Sequence, residues 1–84
     1  MEQIIQVRYF AGLRELSGTD NEEIEISGSI NLDDFIEKIK IRHPELANEL
    51  GTTAVSVNMD VADPASTTLK PGDEVAFLPP FGGG

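Results

Sequence analysis

Few residues of this 84-residue chain have the type and spacing to do chemistry, and those that do lie at its end. The chain has no cysteine, so it offers no thiolate nucleophile, no thiolate metal site and no disulfide framework. Its one histidine, His43, sits beside Pro44 with no convergent partners at useful spacing. It reads as a capping or surface histidine, and no metal site is expected. The carboxylates are numerous but scattered: those of "DNEE" (20–23) and "DD" (33–34) read as solvated loop and helix-start groups. No G-x-x-x-x-G-K-S/T phosphate loop is present. What remains is the terminal "PPFGGG", residues 79–84. Glycine lacks Cβ, so Gly82, Gly83 and Gly84 can thread a channel closed to other residues, and the Gly84 carboxylate is unhindered. Pro79 and Pro80 restrict the backbone before them and direct the tail outward. Such an end supports acyl chemistry. A carboxylate is a poor electrophile until activated, and adenylation by an ATP-using partner would supply a leaving group. On the glycines alone, a disordered tail is the favoured reading.

A reactive tail needs something rigid to leave from. "EVAFL" (74–78) runs straight into it, with Val75 and Phe77 on one face and Glu74, Ala76 and Leu78 on the other. The first strand, "QIIQVRYFA" (3–11), sets Ile5, Val7 and Tyr9 inward. Its second face, with Ile4, Gln6 and Arg8, ends in Phe10, a large apolar group where solvent is expected. "GLRELSGTDN" (12–21) reads as a turn or short helical connection, and "EEIEIS" (22–27) as an antiparallel strand with Ile24 and Ile26 inward. "NLDDFIEKIKIRHPEL" (31–46) carries the helix signal. Asn31 is the N-cap, Asp33 and Asp34 favour the positive end of the dipole, and Leu32, Phe35, Ile36 and Ile39 form one apolar stripe. Pro44 interrupts the pattern and opens a short second helix, "PELANEL" (44–50), stopped by Gly51. "AVSVNMDV" (54–61) is strand-like, followed by a turn region at 62–67, a short "TL" (68–69) and Lys70-Pro71-Gly72-Asp73, which suits a type II turn.

A hairpin, a helix and further strands make an α+β domain spanning 1–84, with a flexible tail over 79–84. The β-grasp (ubiquitin-like) arrangement fits best, a mixed sheet with the main helix packed on one face. In that arrangement Phe10 and Leu78 lie on neighbouring strands, on the face away from the core, and Phe81 extends the apolar surface into the tail. An apolar cluster beside a functional terminus points to docking.

Fifteen acidic against six basic residues give a formal net charge of −9, which argues against nucleic-acid binding. It suits a basic protein partner, or solubility alone. The start, "MEQIIQVRYF", has no signal-peptide pattern, and no apolar run approaches the roughly 18–20 residues that span a bilayer. No membrane association and a cytoplasmic location are expected.

"VRYFAGLRELSGT" (7–19), "VNMDVADPASTTLKPGDEVAFLPP" (57–80) and the Gly-Gly end resemble the MoaD family, the small subunits of molybdopterin synthase, over nearly the whole chain. The most specific parts are F-A-x-x-R-E-x-x-G and G-D-E-V-A-F-x-P-P-x-x-G-G. The resemblance implies a β-grasp fold and a division of labour. An E1-like enzyme (MoeB-like) uses ATP to adenylate the terminal carboxylate, here that of Gly84, which becomes a thiocarboxylate. The tail Gly82-Gly83-Gly84 then enters a large subunit (MoaE-like) and donates sulfur to cyclic pyranopterin monophosphate within a heterotetramer. The small subunit binds no cofactor and does not itself catalyse the reaction. The partner-gripping surface maps onto Phe10, Val61 and Leu78, and Arg14 matches an arginine that either contacts a partner or makes a structural salt bridge. Where the family reads P-P-V-x-G-G, this chain has Phe81 for the valine and Gly82 at the variable position, which loosens the tail.

Other readings share the fold. A carrier for thiamine synthesis or tRNA thiolation uses the same chemistry, although thiamine carriers are usually shorter and lack "FAxxREL". A ubiquitin-like modifier would join the activated Gly84 to lysines, and a binding module would leave the tail inert.

Overall fold

The computed structural model describes residues 3–51 and 53–78. Strand β1 (Ile4–Tyr9) buries Ile5, Val7 and Tyr9 and exposes Arg8, as its alternation dictates. The chain then turns sharply. Leu13 N–H donates to the Phe10 carbonyl at 3.0 Å, with Ala11 between them at φ 51°, ψ −126°. Those angles are the second position of a type II′ turn, where glycine is favoured, but the glycine here comes one place later, at Gly12. Helix α1 (Gly12–Ser17) follows, burying Leu13 and closing on Gly18 in the left-handed region. Strand β2 (Asn21–Glu25) returns antiparallel to β1, with Ile24 opposite Ile5. A two-residue strand, β3 (Ile30–Asn31), leads directly into helix α2 (Leu32–Arg42).

Asn31 caps α2, its Oδ1 accepting from Asp33 N–H at 2.9 Å, as the sequence predicts. The stripe buries Leu32, Phe35 and Ile39 fully and Ile36 only in part. Each fully buried apolar side chain of this size contributes about 1.5–3 kcal/mol. The helix stops at Arg42, short of the interruption expected at Pro44, because proline cannot continue it and disfavours helical backbone at His43. A 3-10 turn (Pro44–Leu46) and helix α3 (Ala47–Leu50) bring Leu46 and Leu50 into the core.

The stretch 54–61, expected as one strand, is a hairpin: β4 (Ala54–Val57) and β5 (Asp60–Val61). Its two-residue turn holds Asn58 at φ 51° and Met59 at φ 76°, with Val57 opposite Asp60. Two positive φ values make this a type I′ turn, whose backbone twist matches that of paired strands. Strand β6 (Thr68–Leu69) pairs with β3 in a small second sheet. The turn at 70–73 forms as expected, Asp73 N–H donating to the Lys70 carbonyl at 3.0 Å with Gly72 at φ 96°. It delivers β7 (Glu74–Leu78).

The main sheet has the order β2-β1-β7-β4-β5, with β1 and β7 parallel and the other pairs antiparallel. This is the expected β-grasp arrangement: the first and last strands lie side by side at the centre, and α2 shares one core with one face of the sheet. Val7 faces Val75 and Tyr9 faces Phe77 across the central pair. Among the described residues, the other face of the sheet lacks a helical cover.

Candidate docking face and tail root

Strand pleating places every second side chain of β1, β7 and β4 on the uncovered face. Arg8, Glu74, Ala76, Leu78 and Ser56 meet there, joined by Phe10 from the end of β1 and by Met59 and Val61 from the β4–β5 hairpin. Together they line an open groove of about 500 Å³. Ser56 is buried and Ala76 partly so, and these two small side chains face each other across β4 and β7. The larger apolar groups stand in solvent: Phe10 is 40% exposed, Val61 77% and Met59 90%. Arg8 Nε donates to Glu74 Oε2 at 2.5 Å, so the charges within the groove are paired. The groove can therefore grip an apolar surface without stranding an unpaired charge.

Of the residues singled out from the sequence, Phe10, Val61 and Leu78 come together in this groove. Arg14 does not line it. It is exposed on α1 and makes no ion pair among the described residues. Phe81, Gly82, Gly83 and Gly84 lie outside the described residues, as does the tail expected over 79–84. Leu78 is the last described residue and its side chain lines the groove, so the groove reaches the root of the tail. Nothing local in the sequence marks Met59, because methionine is not a turn former and the Asn58-Met59 turn lacks the glycine that signals a hairpin.

A second correction concerns His43 and Glu22, which the sequence suggests are surface and solvated groups. Glu22 lies on β2 with its side chain only 14% exposed. Tyr9 Oη donates to its Oε2 at 2.5 Å, His43 Nε2 lies 2.6 Å from the same oxygen, and Arg42 Nε donates to Oε1 at 2.9 Å. His43 Nδ1 meets Glu45 Oε2 at 3.2 Å, and its ring stands edge-on to Tyr9 with centroids 5.8 Å apart. The capping half of the reading holds, since His43 N–H donates to the Ile39 carbonyl at the end of α2. Burial alone would raise the Glu22 carboxyl, but the hydrogen bonds from Tyr9, His43 and Arg42 outweigh it and hold the group below the usual carboxylate range. The Tyr9 hydroxyl is pushed far above its ordinary value by burial, then by its bond to the Glu22 carboxylate. Tyr9 also stacks on Phe77, so this network braces the two central strands that carry Phe10 and Leu78.

Among the described residues no group of three or more acidic or histidine side chains is placed to hold a metal ion, and no helix is long and apolar enough to cross a membrane.

Comparison with known proteins places this geometry in context. Residues 7–84 match the ThiS family. The chain is 35% identical over 81 residues to the molybdopterin synthase sulfur carrier subunit of Chlamydomonas reinhardtii, covering 95% of this chain and 98% of that protein. It is similar to a putative molybdopterin converting factor, subunit 1, from Pyrococcus furiosus, with a TM-score of 0.81 and 34% identity over 92% of this chain and 97% of that one. It is also similar to a chain in the complex of subunits 1 and 2 of molybdopterin-converting factor from Helicobacter pylori 26695, with a TM-score of 0.70 and 28% identity over 96% of this chain and 99% of that one.

Proposed function

The chain belongs to the ThiS family, and on that premise we propose that it is the sulfur carrier subunit of a molybdopterin synthase. One observation carries the reading: likeness to molybdopterin synthase sulfur carrier subunits runs over 95% of the chain, and the family match extends through Gly84. An E1-like enzyme adenylates the Gly84 carboxylate, ATP giving up pyrophosphate. A sulfur donor then displaces AMP at the activated carbonyl and leaves a thiocarboxylate. In the active site of the large subunit that sulfur attacks cyclic pyranopterin monophosphate, water then cleaves the acyl–sulfur bond, and the tail returns to a carboxylate ready for recharging. The carrier contributes no catalytic side chain; it brings the sulfur and docks.

The groove supports this division of labour. Six residues come after Leu78, and a fully extended chain of that length reaches at most about 20 Å. A partner whose active site receives Gly84 must therefore lie close against the body of the carrier, and the apolar groove that includes Leu78 is a surface suited to meet it. Assembly with a large subunit, as a heterotetramer in the cytoplasm, accords with the same reading.

Intact-mass measurement of the chain, made together with its activating enzyme, tests the proposal. One oxygen replaced by sulfur at the terminal glycine is the expected result, and deletion of Gly84 is expected to abolish sulfur transfer. Carboxylate alone under every condition would overturn the reading, and Gly-Gly remnants on target lysines would identify a protein modifier instead.

A further inference from the structure

Met59 is poorly placed on local grounds. It occupies the second central position of a type I′ turn at φ 76°, where glycine is strongly favoured, and its side chain is 90% exposed at the rim of the groove. Neither backbone stability nor solubility accounts for a methionine there. Its neighbour Asn58 holds the turn rigidly against the root of β7. Asn58 N–H donates to the Glu74 carbonyl at 2.8 Å, its Oδ1 accepts from Glu74 N–H at 3.0 Å, and its Nδ2 donates to Asp73 Oδ1 at 3.1 Å. The same Asp73 accepts from Lys70 N–H at 2.8 Å, tying the hairpin tip to the turn that starts the last strand. The result is a fixed Cα that carries a long, unbranched, polarisable side chain able to mould itself to an apposed surface.

We infer that Met59 is a docking residue, an adaptable rim contact that closes the Phe10–Val61–Leu78 groove against the large subunit and helps to set which partner fits. The inference rests on the sulfur-carrier reading. The occupant is the large subunit because the six residues after Leu78 keep the body that receives Gly84 within about 20 Å of the Leu78 side of the groove. A rigid tip with a soft side chain gives area without a large ordering cost in the backbone.

The test compares the full-length parent with Met59→Gly, Met59→Leu and Phe10→Asp, measuring melting temperature and affinity for the purified large subunit. For Met59→Gly the two readouts should move in opposite directions. Its melting temperature rises by about 5 °C as the strained position is relieved, while its affinity falls about tenfold through the lost contact. Met59→Leu keeps affinity within about threefold, since a volume-conserving apolar swap preserves the contact. An unchanged affinity for Met59→Gly, beside a clear loss for Phe10→Asp, overturns the role of Met59 and leaves the docking face standing. Normal binding by both variants overturns the docking face itself, and Met59 with it.

Discussion

At the scale of single residues, the turn that follows Phe10, the aromatic of the groove, is held in an unfavourable backbone conformation. Ala11 adopts φ 51°, ψ −126° immediately after Phe10, a conformation that costs a residue with Cβ about 1–3 kcal/mol. Replacing Ala11 by glycine removes the clash but frees the unfolded chain by about 0.5–1 kcal/mol. Ala11→Gly is therefore expected to stabilise the fold by about 1 kcal/mol, read as a higher denaturant midpoint at unchanged slope. A lower midpoint would show that the turn is not strained. Phe10 itself is 40% exposed and outside the core, so Phe10→Asp should shift stability by no more than about 0.5 kcal/mol while weakening partner binding. These two neighbours differ in how far the sequence reveals them. Phe10 stands out as an aromatic on the polar face of an alternating strand, whereas the Ala11 turn is disguised because the glycine that marks it sits one position late.

At the scale of elements, the apolar pattern and the polar network separate in the same way. Alternation in β1 and β7, the α2 stripe, the Asn31 cap and the Lys70–Asp73 turn are all local signals, and each element forms where those signals place it. The network of Tyr9, Glu22, Arg42, His43 and Glu45 draws on β1, β2, the end of α2 and the 3-10 turn, so no window of sequence contains it. Strands β3 and β6 are two residues each, too short for any period to register. The network predicts a pH profile. Glu22 titrates below 4.5 in the fold, so the unfolded chain takes up its proton first. Its stabilising effect is complete above that value and is lost as the pH falls through the lower folded value. Glu22→Gln should be less stable than the parent at neutral pH, and the gap should narrow on acidification below about 4.5. The sign reverses for Tyr9, whose folded hydroxyl keeps its proton far above 10. Above pH 10 the unfolded chain loses that proton and the folded chain does not, so stability declines, and Tyr9→Phe should flatten the decline. Parallel curves for parent and variant at either extreme would remove the network from the account.

At the scale of the whole molecule, a formal charge of −9 surrounds a groove whose own charges, Arg8 and Glu74, neutralise each other. The two features act over different distances. Apolar contact at Phe10, Val61, Met59 and Leu78 operates only on touching and governs how long a complex lasts. The summed charge acts before contact and governs how often a partner with a basic surface arrives. Salt separates them, because the screening length shrinks from about 10 Å at 0.1 M to about 3 Å at 1 M while apolar burial is little weakened. Stopped-flow or surface-binding measurements with the large subunit should therefore show the association rate falling about tenfold or more across that range, with the dissociation rate nearly constant. Phe10→Asp should reverse the pattern, accelerating dissociation while leaving the salt dependence of association in place. An association rate indifferent to salt would mean that the acidic composition serves solubility alone, and that the groove finds its partner without long-range steering.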